Sequence, residues 1–168
     1  LPKPTIARVN GTAIGGGNGL FSVCDIVIAS KRAKFGLSEV KIGLVPAAIS
    51  PYIIRRIGES TAREYFLTGE RFDARRALEI GLVNRVVPHE ELDRKLEEVI
   101  RLLLSSGPEA MASCKELLNR VPAMSLEEAK AYTAEMIARL RVSAEGQEGM
   151  AAFLEKRKPS WINEEKKK

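Results

Sequence analysis

Histidine and cysteine, the side chains that most often hold metals or serve nucleophilic catalysis, are almost missing from this chain. One histidine, His89, among 168 residues excludes a site built on several histidines. It also argues against Ser-His-Asp or Cys-His catalysis. Cys24 and Cys114 are far apart in sequence and form neither a disulfide framework nor a metal cluster. They read as two small buried hydrophobes in a reducing, cytoplasmic setting. Aromatic residues make up only 5%, so an aliphatic core is expected. No run approaches the roughly 18 consecutive apolar residues of a membrane span. The opening Leu1-Pro2-Lys3-Pro4 has the pattern of neither a signal nor a transit peptide. It carries no initiator methionine, and the natural N-terminus is expected upstream.

What is present is an ordinary soluble mixture, 45% hydrophobic and 29% charged, with a net charge of +5. The excess is concentrated at one end. Lys156, Arg157, Lys158, Lys166, Lys167 and Lys168 face only Glu155, Glu164 and Glu165, which accounts for +3 of the +5. The end reads as a solvated basic tail, and the rest is nearly balanced. No basic stripe interleaved with aromatics appears, so nucleic acid is not the expected partner.

Glycine divides the chain. Seven of the 13 glycines fall within the first fifty residues. Thr5–Val9 reads as a strand, Ala13–Gly17 as a loop of minimal side chains, Asn18–Cys24 as a short helix, and Asp25–Ala29 as a buried strand. Ala33–Gly36 is a further extended piece. This is the βαβ pattern of an α/β fold. Ala47–Ile57 and Ser60–Leu67 read as helices broken at Gly58. Asp73 caps a short helix that Gly81 stops, and Leu82–Val87 is extended. From Pro88 on, four amphipathic helices follow, the third opened by the capping box Ser125-Leu126-Glu127-Glu128. Their apolar faces exceed what one small layer can bury, which predicts packing on the α/β portion and a subunit interface. The expected division is 1–70 for the α/β core with its active-site loop, 71–160 for a helical oligomerisation region and 161–168 for the tail.

Two places hold residues suited to chemistry. Gly15-Gly16-Gly17-Asn18-Gly19-Leu20 is neither the dinucleotide fingerprint nor a phosphate P-loop, because the spacing and the partner residues are wrong. It does present bare backbone N–H groups at a helix start, which suits an oxyanion. Tight strand–helix packing explains the glycines equally well. Glu39 lies between apolar residues and glycines in Phe35-Gly36-Leu37-Ser38-Glu39-Val40-Lys41-Ile42-Gly43. A carboxylate there suits general acid–base work, and a surface pair with Lys41 or a nearby arginine is the plainer alternative. Asp25 reads as a turn or cap, Arg55 and Arg56 as surface or interface charges, and His89 as an exposed residue.

Taken in order, these pieces resemble the crotonase superfamily, the enoyl-CoA hydratases and isomerases. The likeness runs through Lys3-Pro4-Thr5-Ile6-Ala7, Asn10-Gly11, GGGNGL, Cys24-Asp25-Ile26, Phe35-Gly36, Glu39, Gly43 and Pro46. It continues through Thr68-Gly69, Ala77 and Gly81-Leu82-Val83, and through the stretch from Glu148 to Pro159. The resemblance implies a spiral α/β core followed by a helical trimerisation region, and a homotrimer or hexamer. It implies an acyl-CoA thioester as substrate and no separate cofactor, CoA being part of the substrate. Gly16 matches the position of one oxyanion donor, and Glu39 matches a catalytic carboxylate. Gly15, Gly17, Gly19, Pro46, Ser50, Tyr52, Phe153 and Lys156 are carried over as substrate-binding positions. The other donor and much of the acyl pocket belong to a segment that would precede Leu1, so the chain reads as the C-terminal two-thirds of a family member.

One departure bears on mechanism. Hydratases with two glutamates carry the first at the position of Gly19, and here it is missing. Gly43-Leu44-Val45-Pro46-Ala47-Ala48-Ile49-Ser50-Pro51-Tyr52 resembles a bacterial branch assigned to enoyl-CoA or methylglutaconyl-CoA hydration, in fatty-acid or leucine catabolism. The expected activity is therefore 2-enoyl-CoA hydration. Three alternatives stand beside it: a Δ3,Δ2-enoyl-CoA isomerase using one carboxylate, an RNA-binding relative, and an inactive subunit that only assembles trimers.

Overall fold

The computed structural model describes residues 1–162. The basic tail therefore lies, from residue 163 on, outside the described residues. In chain order the elements are β1 (Ile6–Val9), β2 (Ala13–Ile14), α1 (Gly16–Ser22), β3 (Ile26–Ser30), β4 (Lys34–Gly36), α2 (Ser50–Ile57) and α3 (Glu59–Thr68). Then come β5 (Arg71–Asp73), α4 (Ala74–Glu79), β6 (Arg85–Val87), α5 (Leu92–Leu104), α6 (Pro108–Arg120), α7 (Leu126–Val142) and α8 (Ala144–Leu154).

Residues Thr5–Glu98 form one compact unit, which holds every strand among the described residues. β3 is its centre. Val27, Ile28, Ala29 and Ser30 are fully buried, as expected of a strand covered on both faces. β1 and β6 flank it, both parallel, with Ile6 opposite Ile26 and Ile28 opposite Arg85. A second sheet pairs β2 parallel to β4 and β4 antiparallel to β5, with Phe35 opposite Phe72. Parallel pairing of β1 with β3 and of β2 with β4 is the expected βαβ arrangement.

The expected boundary at residue 70 falls inside this unit. β5 pairs back onto β4 and β6 onto β3, so the chain from 71 to 98 completes the core instead of opening a helical region. Composition misjudged the core as well. Its middle is aromatic: Phe35 meets Phe21 edge-on at 5.7 Å and stacks on Phe72 at 5.9 Å, and Tyr65 lies 4.4 Å from Phe72. Few aromatics occur, but four are gathered at one spot, where each buries a large apolar area.

Arg56 is a tie within this unit and not a surface charge. It donates from Nε to Leu82 O at 2.8 Å, from one terminal nitrogen to Cys24 O at 2.9 Å and Ser22 O at 3.2 Å, and from the other to Asn84 Oδ1 at 2.7 Å. Burial pulls its guanidinium below the usual arginine value, with Cys24 and Asp25 opposing. Asp25 accepts from Thr5 N at 2.7 Å and Thr5 Oγ1 at 2.8 Å, which fixes where β3 begins beside β1. His89 is half-buried, not exposed, and its Nδ1 has no protein partner.

The second unit comprises Leu1–Pro4 and, among the described residues, 99–162, and its regular elements are all helices. The Ser125 capping box is formed, and Ser143 accepts from Gly146 N at 3.0 Å. Glu145 reaches the start of α6 and accepts from Glu109 N and Ala110 N, each at 2.8 Å. Gly107 makes room for it, since a Cβ there would stand 2.3 Å from Glu145 Oε1. Beyond α8, Arg157 binds both oxygens of Glu148, at 2.7 and 2.9 Å, and Ser160 N donates to the same carboxylate at 2.8 Å. These donors hold the Glu148 carboxyl down at about 2. Cys114 is exposed and Cys24 half-buried, so neither is the fully buried hydrophobe expected.

Candidate active site

The glycine loop sits where β2 gives way to α1. Gly15 has φ +55°, a conformation side-chain-bearing residues rarely adopt. Its N–H donates to Gly36 O at 2.9 Å, which ties the loop to the end of β4. Its own carbonyl accepts from Asn18 N at 2.9 Å. In a trans peptide the C=O and the following N–H point opposite ways. With Gly15 C=O turned inward, Gly16 N–H is turned outward. Gly16 is exposed, and a Cβ there would meet nothing within 4 Å. No side chain caps α1.

Glu39 lies against this loop. A Cβ on Gly15 would stand 3.1 Å from Glu39 Oε1 and 3.8 Å from Oε2. Bare glycine thus lets the carboxylate approach the backbone beside Gly16. Glu39 opens a single 3₁₀ turn, Glu39–Ile42, closed by Gly43 in the left-handed conformation at φ +74°. Leu44 N donates to Glu39 O at 3.0 Å. The turn places the side chain, and β4 places the turn. Glu39 is half-buried, and its Oε2 is buried without a protein hydrogen-bond partner. Such an oxygen is costly to leave unpaired unless something else binds there. The ion pair with Lys41 weighed above is not formed in the described structure.

The remaining carried-over positions are distributed as follows. Gly17 lies half-buried in the first turn of α1, and a Cβ there would come 3.6 Å from Ala13 Cβ. Gly19 is buried and faces Ile49, whose Cγ2 would be 2.2 Å from a Cβ at position 19. Pro46 is buried, and its carbonyl accepts from Ser50 N at 2.9 Å. Ser50 Oγ donates to Ala47 O at 3.0 Å, so the hydroxyl is spent on the start of α2. Tyr52 is half-exposed. Ile42, Leu44 and Val45, in and just after the Glu39 turn, are largely exposed. Phe153 and Lys156 belong to the helical unit, at the end of α8, where Phe153 is exposed and Lys156 adopts φ +54°.

Two residues of this neighbourhood were not singled out from sequence. Asn18 is fully buried, and its Nδ2 donates to Gly36 O at 2.8 Å, Ala13 O at 3.1 Å and Gly15 O at 3.4 Å. Ile49 closes the space beside Gly19. A polar residue within a glycine run was the available signal for the first, and the second had none.

The model of the enoyl-CoA hydratase/isomerase family matches residues 1–164, and the chain belongs to that family. A mevalonyl-coenzyme A hydratase of Aspergillus fumigatus is 40% identical over 162 residues, covering 95% of this chain and 60% of that protein. A short-chain-enoyl-CoA hydratase of Clostridium acetobutylicum is 36% identical over 159 residues, 94% of this chain and 61% of that one. The crystal structure of an enoyl-CoA hydratase from Shewanella pealeana superposes with a TM-score of 0.90 at 49% identity, covering 95% of this chain and 60% of that one. The α/β core with a helical C-terminal region is thus the crotonase fold. The chain spans about 60% of the length of these relatives. Among the described residues no helix is long and apolar enough to cross a membrane, and no group of three or more His, Cys, Asp or Glu is placed to hold a metal.

Proposed function

We propose that the protein adds water across the 2,3 double bond of an enoyl-CoA thioester, with Gly16 N–H and Glu39 as its working groups. The observation that carries this is the carboxylate of Glu39 lying against the backbone of Gly15, beside an outward-facing amide. As the water oxygen bonds to C3, negative charge moves onto the thioester oxygen. A fixed N–H aimed at that oxygen lowers the barrier, roughly 10²–10³-fold in rate per donor. Glu39 takes a proton from the water as the water oxygen bonds to C3, and the protonated Glu39 then gives that proton to C2. The carboxylate ends as it began, and no cofactor is consumed.

Gly15 and Gly17 keep the loop bare for the thioester. Ile42, Leu44 and Val45 offer apolar surface for an acyl chain, near Pro46, Ser50 and Tyr52. Phe153 and Lys156 are the proposed approach to the CoA moiety. The names of the relatives support hydration. Ile49 beside Gly19 leaves no room for a second carboxylate at that position. A substrate that brings its own carboxyl group, such as a methylglutaconyl-type thioester of leucine breakdown, would place a second proton-carrying group beside Glu39. The exposed apolar residues Leu118, Leu126, Ile137 and Val142 of the helical unit support assembly as a trimer or hexamer. The unpaired cysteines suit the cytoplasm.

A second reading, Δ3,Δ2-enoyl-CoA isomerisation, is favoured by that same single carboxylate, since moving one proton between carbons needs only one base. Parallel assays separate the two. Loss of conjugated enoyl-thioester absorbance with crotonyl-CoA marks hydration, and its gain with a 3-enoyl-CoA marks isomerisation. Hydration the faster supports the first reading, and isomerisation alone replaces it with the second.

A further inference from the structure

We infer that Asn18 is a positioning residue, whose side chain sets the direction of the Gly16 N–H by clamping the peptide before it. The inference rests on the reading of Gly16 as an oxyanion donor.

Asn18 is fully buried, and the whole donor capacity of its amide is spent on three backbone carbonyls. One belongs to Ala13 in β2, one to Gly15 in the loop, and the shortest to Gly36 at the end of β4. The loop is thus held to both strands of the parallel β2–β4 pair by one side chain. Gly36 O also accepts from Gly15 N at 2.9 Å. Two bonds therefore converge on the carbonyl that anchors the loop. Asn18 Oδ1 has no protein donor, so Nδ2 alone fixes the orientation of the side chain.

The lever is the peptide joining Gly15 to Gly16. Glycine at φ +55°, ψ −123° has no side chain to resist rotation, and a bare Gly-Gly peptide flips easily. Its carbonyl is held inward by Asn18 N at 2.9 Å and more weakly by Nδ2 at 3.4 Å. Peptide planarity then turns Gly16 N–H outward. Without the side-chain amide, Gly36 O and Ala13 O each lose a donor, and the loop keeps only the Gly15 N–H bond to β4. An amide free to turn away part of the time loses oxyanion stabilisation without any change in the pocket that recognises CoA.

The test reads carbonyl polarisation directly. 4-Dimethylaminocinnamoyl-CoA is an electron-rich enoyl thioester whose absorption moves to longer wavelength as its carbonyl is polarised. Bound to the unsubstituted protein it shows a red shift. In Asn18→Ala the shift falls to half or less, kcat drops about 10-fold to 100-fold, short of deleting a donor outright, and Kd stays within about threefold. In Glu39→Gln, by contrast, kcat drops while the red shift remains, because the donor is intact. A residue that merely fills space leaves the shift unmoved. An unchanged shift and kcat in Asn18→Ala overturn the inference and leave the hydratase reading standing. Absence of any shift with the unsubstituted protein, despite binding, overturns the donor role of Gly16 itself. Should Asn18→Ala not fold, the unsubstituted protein still decides. Its Asn18 side-chain amide protons exchange with solvent at least about 100-fold more slowly than those of exposed Asn119. Equal rates mean that the clamp does not exist.

Discussion

Ile49 occupies the place that any side chain on Gly19 would take. A Cβ at position 19 would stand 2.2 Å from Ile49 Cγ2 and 2.9 Å from its Cβ, and both atoms belong to a β-branched side chain with little freedom to swing aside. Sequence resemblance alone makes Gly19→Glu look like a simple restoration of a carboxylate. In this structure it is an overpacking substitution at the contact between α1 and the start of α2. Gly19→Glu is expected to destabilise the protein by about 1–3 kcal/mol or more, read as a lower midpoint in denaturant, and to bring no gain in hydration. Gly19→Glu combined with Ile49→Ala recovers part of that loss. Strictly additive losses in the double variant contradict the account, because residues in contact couple.

Arg56 gives a second prediction. It serves the carbonyls of Ser22, Cys24 and Leu82 and the side chain of Asn84, while Asn84 Oδ1 also accepts from Val27 N at 2.8 Å. Arg56→Met keeps the length of the stem and removes every donor. It is expected to cost about 1–3 kcal/mol for the groups left unpaired. Arg56→Lys recovers only part, since a point charge cannot reproduce a planar fork. Chemical denaturation measures both, and a neutral Arg56→Met would show the network to be incidental.

Much of the fold was legible because its signals are local. Asp73 caps α4 through Arg76 N at 2.9 Å, Gly81 follows that helix in the left-handed conformation, and Ser125 forms its capping box with Glu128. Each is set within four residues or so, as the sequence states it. The unit boundary was not legible, because β5 and β6 are three-residue strands whose identity comes from pairing with β4 and β3. So short a run has no period of its own. The same holds at the site. The glycines and Glu39 stand out by composition, and their contact is a product of the fold. Asn18 and Ile49 act through distances to Gly36 and Gly19 that no spacing encodes. Arg56 looked like a surface charge because its acceptors are carbonyls, which have no residue signature.

The end of the helical unit carries a pH signature. Arg157 and Ser160 N hold the Glu148 carboxyl at about 2, below its ordinary 4.5. The folded value is the lower one, so the tie contributes fully above about pH 4.5 and is lost as pH falls toward 2. A carbon-detected NMR titration should find the Glu148 carboxyl still ionised at pH 3, below the ordinary glutamate value of 4.5. Arg157→Gln should return Glu148 toward 4.5. An ordinary titration in the unsubstituted protein would mean that the Glu148–Arg157 pair is not held in solution.

The central claim is that Glu39 moves the proton in hydration of an enoyl-CoA thioester. The most direct test compares Glu39→Gln with the unsubstituted protein on crotonyl-CoA and on a carboxylated enoyl-CoA, following loss of the conjugated thioester absorbance. Glutamine keeps the shape against Gly15 and removes the base. The account predicts kcat lower by about 10²–10⁴ with KM nearly unchanged, because the lost interaction belongs to the transition state. A kcat equal to that of the unsubstituted protein on both substrates would contradict it.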